Sequence, residues 1–202
     1  MLILVIGGSG SGKSEYAERR CTELFPGKKL YIAAMEPHDE ESVMRIARHR
    51  RMRDGRGFDT LECYTHLEQA AIAPYDTILL ECLSNLLANE MFSPDGRRDA
   101  DQATAAILNG VKRLTEWAGH VIVVTSQVFS DGVTYTPETE LYRQCLARIN
   151  REIAVVADEV AEVVHGIPVI IKRDRPDITE RRQLVQTPAV SRLRSRMKME
   201  VL

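Results

Sequence analysis

Long hydrophobic runs are missing from this sequence: no stretch of its 202 residues is apolar for long enough to cross a bilayer, so no membrane-spanning helix is expected. The first apolar run, Leu2–Ile6, is also too short for the core of a signal peptide and passes straight into glycines. An excess of one charge is missing too. Twenty-seven Lys and Arg stand against 29 Asp and Glu, a formal net charge of -2. The molecule as a whole is therefore no electrostatic trap for nucleic acid or membrane surfaces. Aromatic residues make up only 5%, and none is interleaved with the basic stretches as stacking on bases requires. Cysteine is scarce. Cys21, Cys63, Cys82 and Cys145 form no C-x-x-C pair, which argues against a zinc site or a disulfide framework and for buried free thiols in a reducing cytoplasm. There is no internal repeat and no low-complexity linker.

What is present is a hydrophobic content of 44%, enough for one sizeable core, arranged as alternating strands and helices. Strands are expected at Leu2–Ile6, Lys29–Ala33, Asp76–Cys82, Val121–Thr125, Glu159–Val164 and Val169–Lys172. Helices are expected at Ser14–Leu24, Glu40–Arg53, Asp101–Ala118 and Thr139–Val156. The central strands are apolar throughout, which predicts an α/β fold with a mostly parallel sheet and helices on both faces. Residues 1–172 read as one domain. Arg173–Leu202 is Arg-rich with weak periodicity and reads as a basic C-terminal extension.

One motif is complete. Gly7-Gly8-Ser9-Gly10-Ser11-Gly12-Lys13-Ser14 satisfies G-x-x-x-x-G-K-[ST], between an expected buried strand and an expected helix, where a phosphate-binding loop belongs. Glycines let the backbone aim several N–H groups at one anion, and the helix adds the positive end of its dipole. Lys13 is expected to reach the β- and γ-phosphates, and Ser14 to offer its hydroxyl to Mg²⁺. A second acid is needed on the magnesium side. Strand Asp76–Cys82 offers Asp76 and Glu81, and ligands gather at the carboxyl ends of parallel strands. Glu81 sits at that end and Asp76 at the other.

No N-K-x-D stretch follows a buried strand, which argues against a Ras-like switch. The informative segment is RIARHRRMRDGR, residues 45–56. On a helix, Arg45, His49 and Arg53 share a face. Neighbouring positive charge disfavours the imidazolium, so His49 would stay neutral and able to attack an α-phosphate. Spacing alone leaves two other readings open: a solvated basic face, and a nucleic-acid contact. The remaining histidines have no partner at ligand spacing; His38 follows a proline, His66 and His120 read as turn or helix-edge residues, and His165 as a strand end.

With these residues in hand, the chain resembles the bifunctional adenosylcobinamide kinase/adenosylcobinamide-phosphate guanylyltransferases of cobalamin biosynthesis. The likeness runs in order over residues 2–172. It includes the loop, Tyr31-Ile32-Ala33-Ala34, Arg45-Ile46-Ala47-Arg48-His49, and Leu79-Leu80-Glu81-Cys82 with Asn89. It continues through Arg148-Ile149-Asn150, Ala157-Asp158-Glu159-Val160 and Gly166-Ile167-Pro168-Val169-Ile170-Ile171-Lys172. The resemblance implies a P-loop NTPase-like three-layer sandwich and two reactions. The γ-phosphoryl group of ATP or GTP passes to adenosylcobinamide. GTP then guanylylates His49, and the GMP moves on to give adenosylcobinamide-GDP. It further implies Mg²⁺ at Ser14 and Glu81, and guanine-nucleotide contacts from Ala33, Ala34, Met35, Arg50, Arg51, Met52, Arg53, Glu62 and Glu81. A homo-oligomer, a trimer, with the corrinoid in a cleft between subunits also follows. Three departures stand out: Gln127 where the family has an acid in Thr125-Ser126-Gln127-Val128-Phe129, Ala34 in place of a hydroxyl residue, and the Arg-rich tail. Gln127 keeps a kinase-only or transferase-only enzyme in play. A nucleotide-dependent binding module without chemistry is the alternative of another class.

Overall fold

The computed structural model describes residues 1–174 apart from residues 26, 95–97 and 128–134, and of Met52 the backbone alone. The chain divides after Lys172; the expected extension lies outside the described residues, except for Arg173 and Asp174. In order, the elements are β1 (Leu2–Gly7), α1 (Lys13–Leu24), β2 (Lys29–Ala33), α2 (Glu40–Arg53), β3 (Phe58–Glu62), a 3₁₀ turn (Leu67–Gln69), β4 (Tyr75–Glu81), α3 (Leu83–Phe92), α4 (Ala100–Trp117), β5 (Ala118–Ser126), α5 (Pro137–Val156), β6 (Glu159–Val164) and β7 (Ile167–Arg173).

The seven strands form one sheet in the order β3-β2-β4-β5-β1-β6-β7. The β1–β5, β1–β6, β2–β3, β2–β4 and β4–β5 pairs are parallel. β6 and β7 are joined by a two-residue turn, His165 and Gly166, both at positive φ, so this last pair runs antiparallel.

Strand side chains alternate between two cores, as a sheet buried on both faces requires. Leu2, Leu4, Ile32, Ile78, Leu80, Val121 and Val123 pack with Leu83, Leu86, Leu87, Ile107, Leu114, Leu146 and Ile149 of α3, α4 and α5. Ile3, Val5, Tyr31, Leu79, Ile122 and Val124 pack on the other face with Tyr16, Ala17 and Cys21 of α1. α2 contributes no residue to either core among the described residues.

Two elements were not expected. β3 is an edge strand with little burial, preceded by Gly55 and Gly57 and without an apolar run, so its sequence does not mark it as a strand. α3 follows β4 after a single residue, and Cys82 at its N-cap makes no side-chain cap; an apolar strand running into an apolar helix leaves no punctuation to read. His120 belongs to β5, not to a turn, and its ring stacks on Phe25 with centroids 3.7 Å apart. The three cysteines Cys21, Cys82 and Cys145 are buried, Cys63 is half-buried, and all four are free.

Several residues of the family-like blocks hold this frame together. Asp158 accepts from Leu2 N at 2.6 Å. Arg20 reaches buried Glu159 at 2.8 Å. Thr125 donates to Asn150 at 2.9 Å. Lys172 Nζ donates to the Ala157 and Val155 carbonyls at the end of α5, where a cation complements the helix dipole.

Candidate active site at the carboxyl ends of the strands

Strand register builds the site. Ala33 pairs with both Glu62 and Glu81, and Gly7 pairs with Ser126. The carboxyl ends of β3, β2 and β4 therefore present Glu62, Ala33 and Glu81 in one row, and those of β5 and β1 present Ser126 and Gly7 side by side two residues further along, since Leu80 pairs with Val123.

The loop from Gly7 to Ser14 leaves β1 and turns into α1. Gly12 sits at φ 88 as the N-cap, with no side-chain cap on the helix, so the first-turn N–H groups face the loop's own hollow. Gly7 is needed for close approach: a Cβ there would stand 2.4 Å from Ser11 Oγ and 2.8 Å from the Val163 carbonyl. Lys13 Nζ donates to the Gly8 carbonyl at 3.0 Å, which holds the ammonium over the loop. Ser14 Oγ donates to Glu81 Oε1 at 2.5 Å.

Glu81 is buried, and burial raises its carboxyl above the ordinary value against the pull of Ser14, Lys13 and Arg53. Its Oε2 is buried with no hydrogen-bond partner. A hydroxyl and a half-satisfied carboxylate form an all-oxygen donor pair, which fits a hard divalent cation completed by phosphate oxygens and water. Among the described residues no three His, Cys, Asp or Glu side chains come together as a metal-holding group.

α2 starts at a capping box between Asp39 and Ser42, with Glu40 and Glu41 in its first turn and Arg50, Arg51 and Arg53 in its last; both ends suit the dipole. Its His49 faces the loop. A cavity of about 300 Å³ is lined by Ser9, Gly10, Ser11, Gly12, Lys13 and Ser14 on one side. On the other stand Arg45, Arg48 and His49, with Met35, Glu81 and Ser126 between. His49 is pushed down to about 4, by burial first and then by the charges of Arg53, Arg48, Lys13 and Arg45. Its Nδ1 is buried without a partner.

On the far side of His49 a narrower cleft is lined by Tyr31, Ala33, Met35, Ile46, Arg50, Arg53, Glu62 and Tyr64. Arg50 donates to Glu62 at 2.6 Å, and Tyr64 donates to the other oxygen of the same carboxylate at 2.9 Å. Beyond Glu62 and Tyr64 lies a further open cavity of about 370 Å³.

Most of the residues singled out in the sequence thus gather around His49. Three stand apart. Ala34 is fully buried, and its carbonyl accepts from Asn89 Nδ2 at 3.0 Å. Arg51 is exposed and lines neither space. Gln127 is exposed, and its backbone N–H donates to Gly7 O; its neighbours Val128 and Phe129 lie outside the described residues. The sequence reading passed over Arg48, Ser84, Asn85 and Ser126 as cavity residues. Ser84, Asn85 and Ser126 could have been found by the same strand-end rule that picked Glu81.

A glycine loop between a buried parallel strand and a helix, facing an acid at the carboxyl end of β4, defines a P-loop nucleotide-binding fold of the phosphoryl-transfer class. Residues 3–171 match the family described as cobinamide kinase / cobinamide phosphate guanyltransferase, and the chain belongs to that family of bifunctional enzymes. It is 35% identical over 189 residues to the "Bifunctional adenosylcobalamin biosynthesis protein CobU" of Salmonella typhimurium, covering 85% of this chain and all of that protein. The protein of the same description from Escherichia coli is 34% identical over 187 residues, again 85% of this chain and all of the relative. The "Bifunctional adenosylcobalamin biosynthesis protein CobP" of Pseudomonas aeruginosa is 30% identical over 175 residues, 84% of this chain and 96% of the relative. A solved type III secretion ATPase is similar over 80% of this chain and 50% of its own, at 14% identity and a TM-score of 0.49.

Proposed function

We propose that this protein phosphorylates adenosylcobinamide and then transfers GMP to the product through a covalent guanylyl group on His49. In the first reaction the substrate hydroxyl oxygen attacks the γ-phosphorus of ATP or GTP, the nucleoside diphosphate leaves, and the hydroxyl proton is released. The backbone amides of Gly8–Gly12 hold the phosphates, and Lys13 neutralises the β- and γ-oxygens. Ser14 and Glu81 are the residues that would hold magnesium, which supplies charge neutralisation on the β- and γ-phosphates.

In the second reaction an imidazole nitrogen of His49 attacks the α-phosphorus of GTP. The α–β phosphoanhydride bond breaks and pyrophosphate leaves. A phosphate oxygen of the phosphorylated cobinamide then attacks the same phosphorus, the N–P bond breaks, and the neutral imidazole is restored. Arg45 and Arg48 supply charge to the departing pyrophosphate. Ala33, Met35, Arg50, Arg53 and Glu62 form the nucleotide-binding wall on the far side of the ring. The enzyme works as a homotrimer in the cytoplasm, the compartment that its four free thiols suit.

The observation that carries this reading is the shared cavity, with the phosphate loop on one wall and a deprotonated His49 on the other. Incubation with α-labelled GTP should leave an acid-labile, alkali-stable label on the wild-type protein and none on His49→Ala. A wild-type protein that takes up no label removes the transferase half.

A further inference from the structure

The helix that carries His49 is held in an unusual way. Of its described side chains, Ser42, Ile46, His49 and Arg53 are the ones turned inward, and none joins a hydrophobic core. Its C-terminal end is tied by ionic contacts instead. Arg50 meets Glu62 on β3, a pair in which both side chains are exposed and which solvent weakens. The Arg53 guanidinium lies 3.4 Å over the ring of Tyr31 on β2. Arg56, just past the helix, reaches Glu18 Oε2 on α1 at 3.3 Å.

Glu18 differs from the other anchors. It is fully buried, whereas Arg56 is a third exposed. It stands one turn beyond Ser14 on the helix that begins at the phosphate loop. Its Oε1 is buried without a hydrogen-bond partner, and so is Nη1 of Arg53. The charges that act on it come from Arg53, Arg56, Glu81 and its own helix neighbour Glu15. A buried charge persists only opposite an opposite charge, and the two guanidinium groups that balance Glu18 are those that fix the end of α2. Arg53 is one turn from His49.

We infer that Glu18 is a positioning residue for the nucleophile: its carboxylate ties the chain just past α2 to α1 through Arg56, faces the charge of Arg53, and so sets His49 against the phosphate loop. This rests on the guanylyl-histidine reading above. Phosphoryl transfer to cobinamide does not use His49, so Glu18 acts on one reaction and not on the other.

The test is the rate of each half-reaction in Glu18→Gln, measured at about pH 8, where the wild-type carboxyl is charged. Labelling of the protein by α-labelled GTP should fall by about tenfold or more, with the GTP concentration for half-maximal rate changed by less than about threefold. Transfer of γ-phosphate to cobinamide should stay within about twofold of wild type. Glu18→Asp, which keeps the charge, should recover part of the labelling rate. Arg56→Met, at a partly exposed position, should show the same split and serves if Glu18→Gln does not fold. Equal losses in both reactions, or no loss in either, overturn the inference. Absence of label on the wild-type protein overturns the guanylyl-histidine reading instead.

Discussion

At the scale of single residues, the decisive quantity is the protonation state of His49. Burial and four nearby cations hold the ring at about 4 against an ordinary 6.5, so the neutral, nucleophilic form is the one present above about 4. In Glu18→Gln, where the buried carboxyl that titrates at about 7 is removed, the rate at which the protein takes up α-label should therefore be flat from pH 8 to about 5 and decline only below that. An inflection near 6.5 in that variant would put the imidazole in bulk water and end the proposal. Stability carries a related signature. The unfolded ring takes its proton at 6.5 and the folded ring only at about 4, so the unfolded state binds more protons between these values. The stability tied to His49 is complete above 6.5 and is lost as pH falls toward about 4. Glu18 runs the other way, since burial lifts it from 4.5 to about 7: its share is complete below 4.5 and is lost as pH rises through about 7. The two oppose each other over the shared window, so the measurement is the difference in urea midpoint between wild type and His49→Asn across pH 4 to 7. A difference that does not change with pH rules out a buried neutral ring.

At the scale of elements, α2 and the sheet helices are held by different forces. α4 places Ile107, Val111 and Leu114 in the core, and α5 places Leu146, Ile149 and Ile153 there. α2 has ionic contacts and leaves Val43 and Met44 exposed. Local opening should follow that contrast. Amides of α2 should exchange with solvent well before those of α4 and α5 in a hydrogen-exchange time course; equal protection would mean that α2 is held by packing after all. The same contrast explains what could be read from sequence. β1, β4 and β5 announce themselves because burial on both faces demands unbroken apolar runs, and α1 because the motif requires it. α2 was legible from its run of basic residues. β3 was not, because an edge strand needs no apolar run, and α3 was not, because no turn residue separates it from β4. The loop and Glu81 were readable because phosphate chemistry restricts the residue types and their spacing; His49 was picked out by the family resemblance, since a basic helix face has the same spacing whether it is solvated, bound to nucleic acid or reactive. Glu18 was invisible, since only the tertiary fold brings Arg56 onto it and the charge of Arg53 near it.

At the scale of the whole molecule, the exposed apolar surface of the described residues concentrates at one edge. Ile167, Val169, Ile170 and Ile171 of β7 are exposed, with Val155 and Val156 at the end of α5. A bare apolar edge strand invites pairing with another chain, in line with the proposed homotrimer. Light scattering should return about three times the 22.8 kDa chain mass, and a monomer at working concentration would contradict the assembly. The same edge is linked to the chemistry. Gly166, in the turn that begins β7, donates its N–H to the Ser11 carbonyl at 2.7 Å, and its Cα lies 3.1 Å from where a side chain on Gly12 would begin. A neighbour gripping β7 thus has its hand on the nucleotide cradle. In the proposed trimer, subunit association and triphosphate affinity would be thermodynamically linked quantities, each able to report on the other.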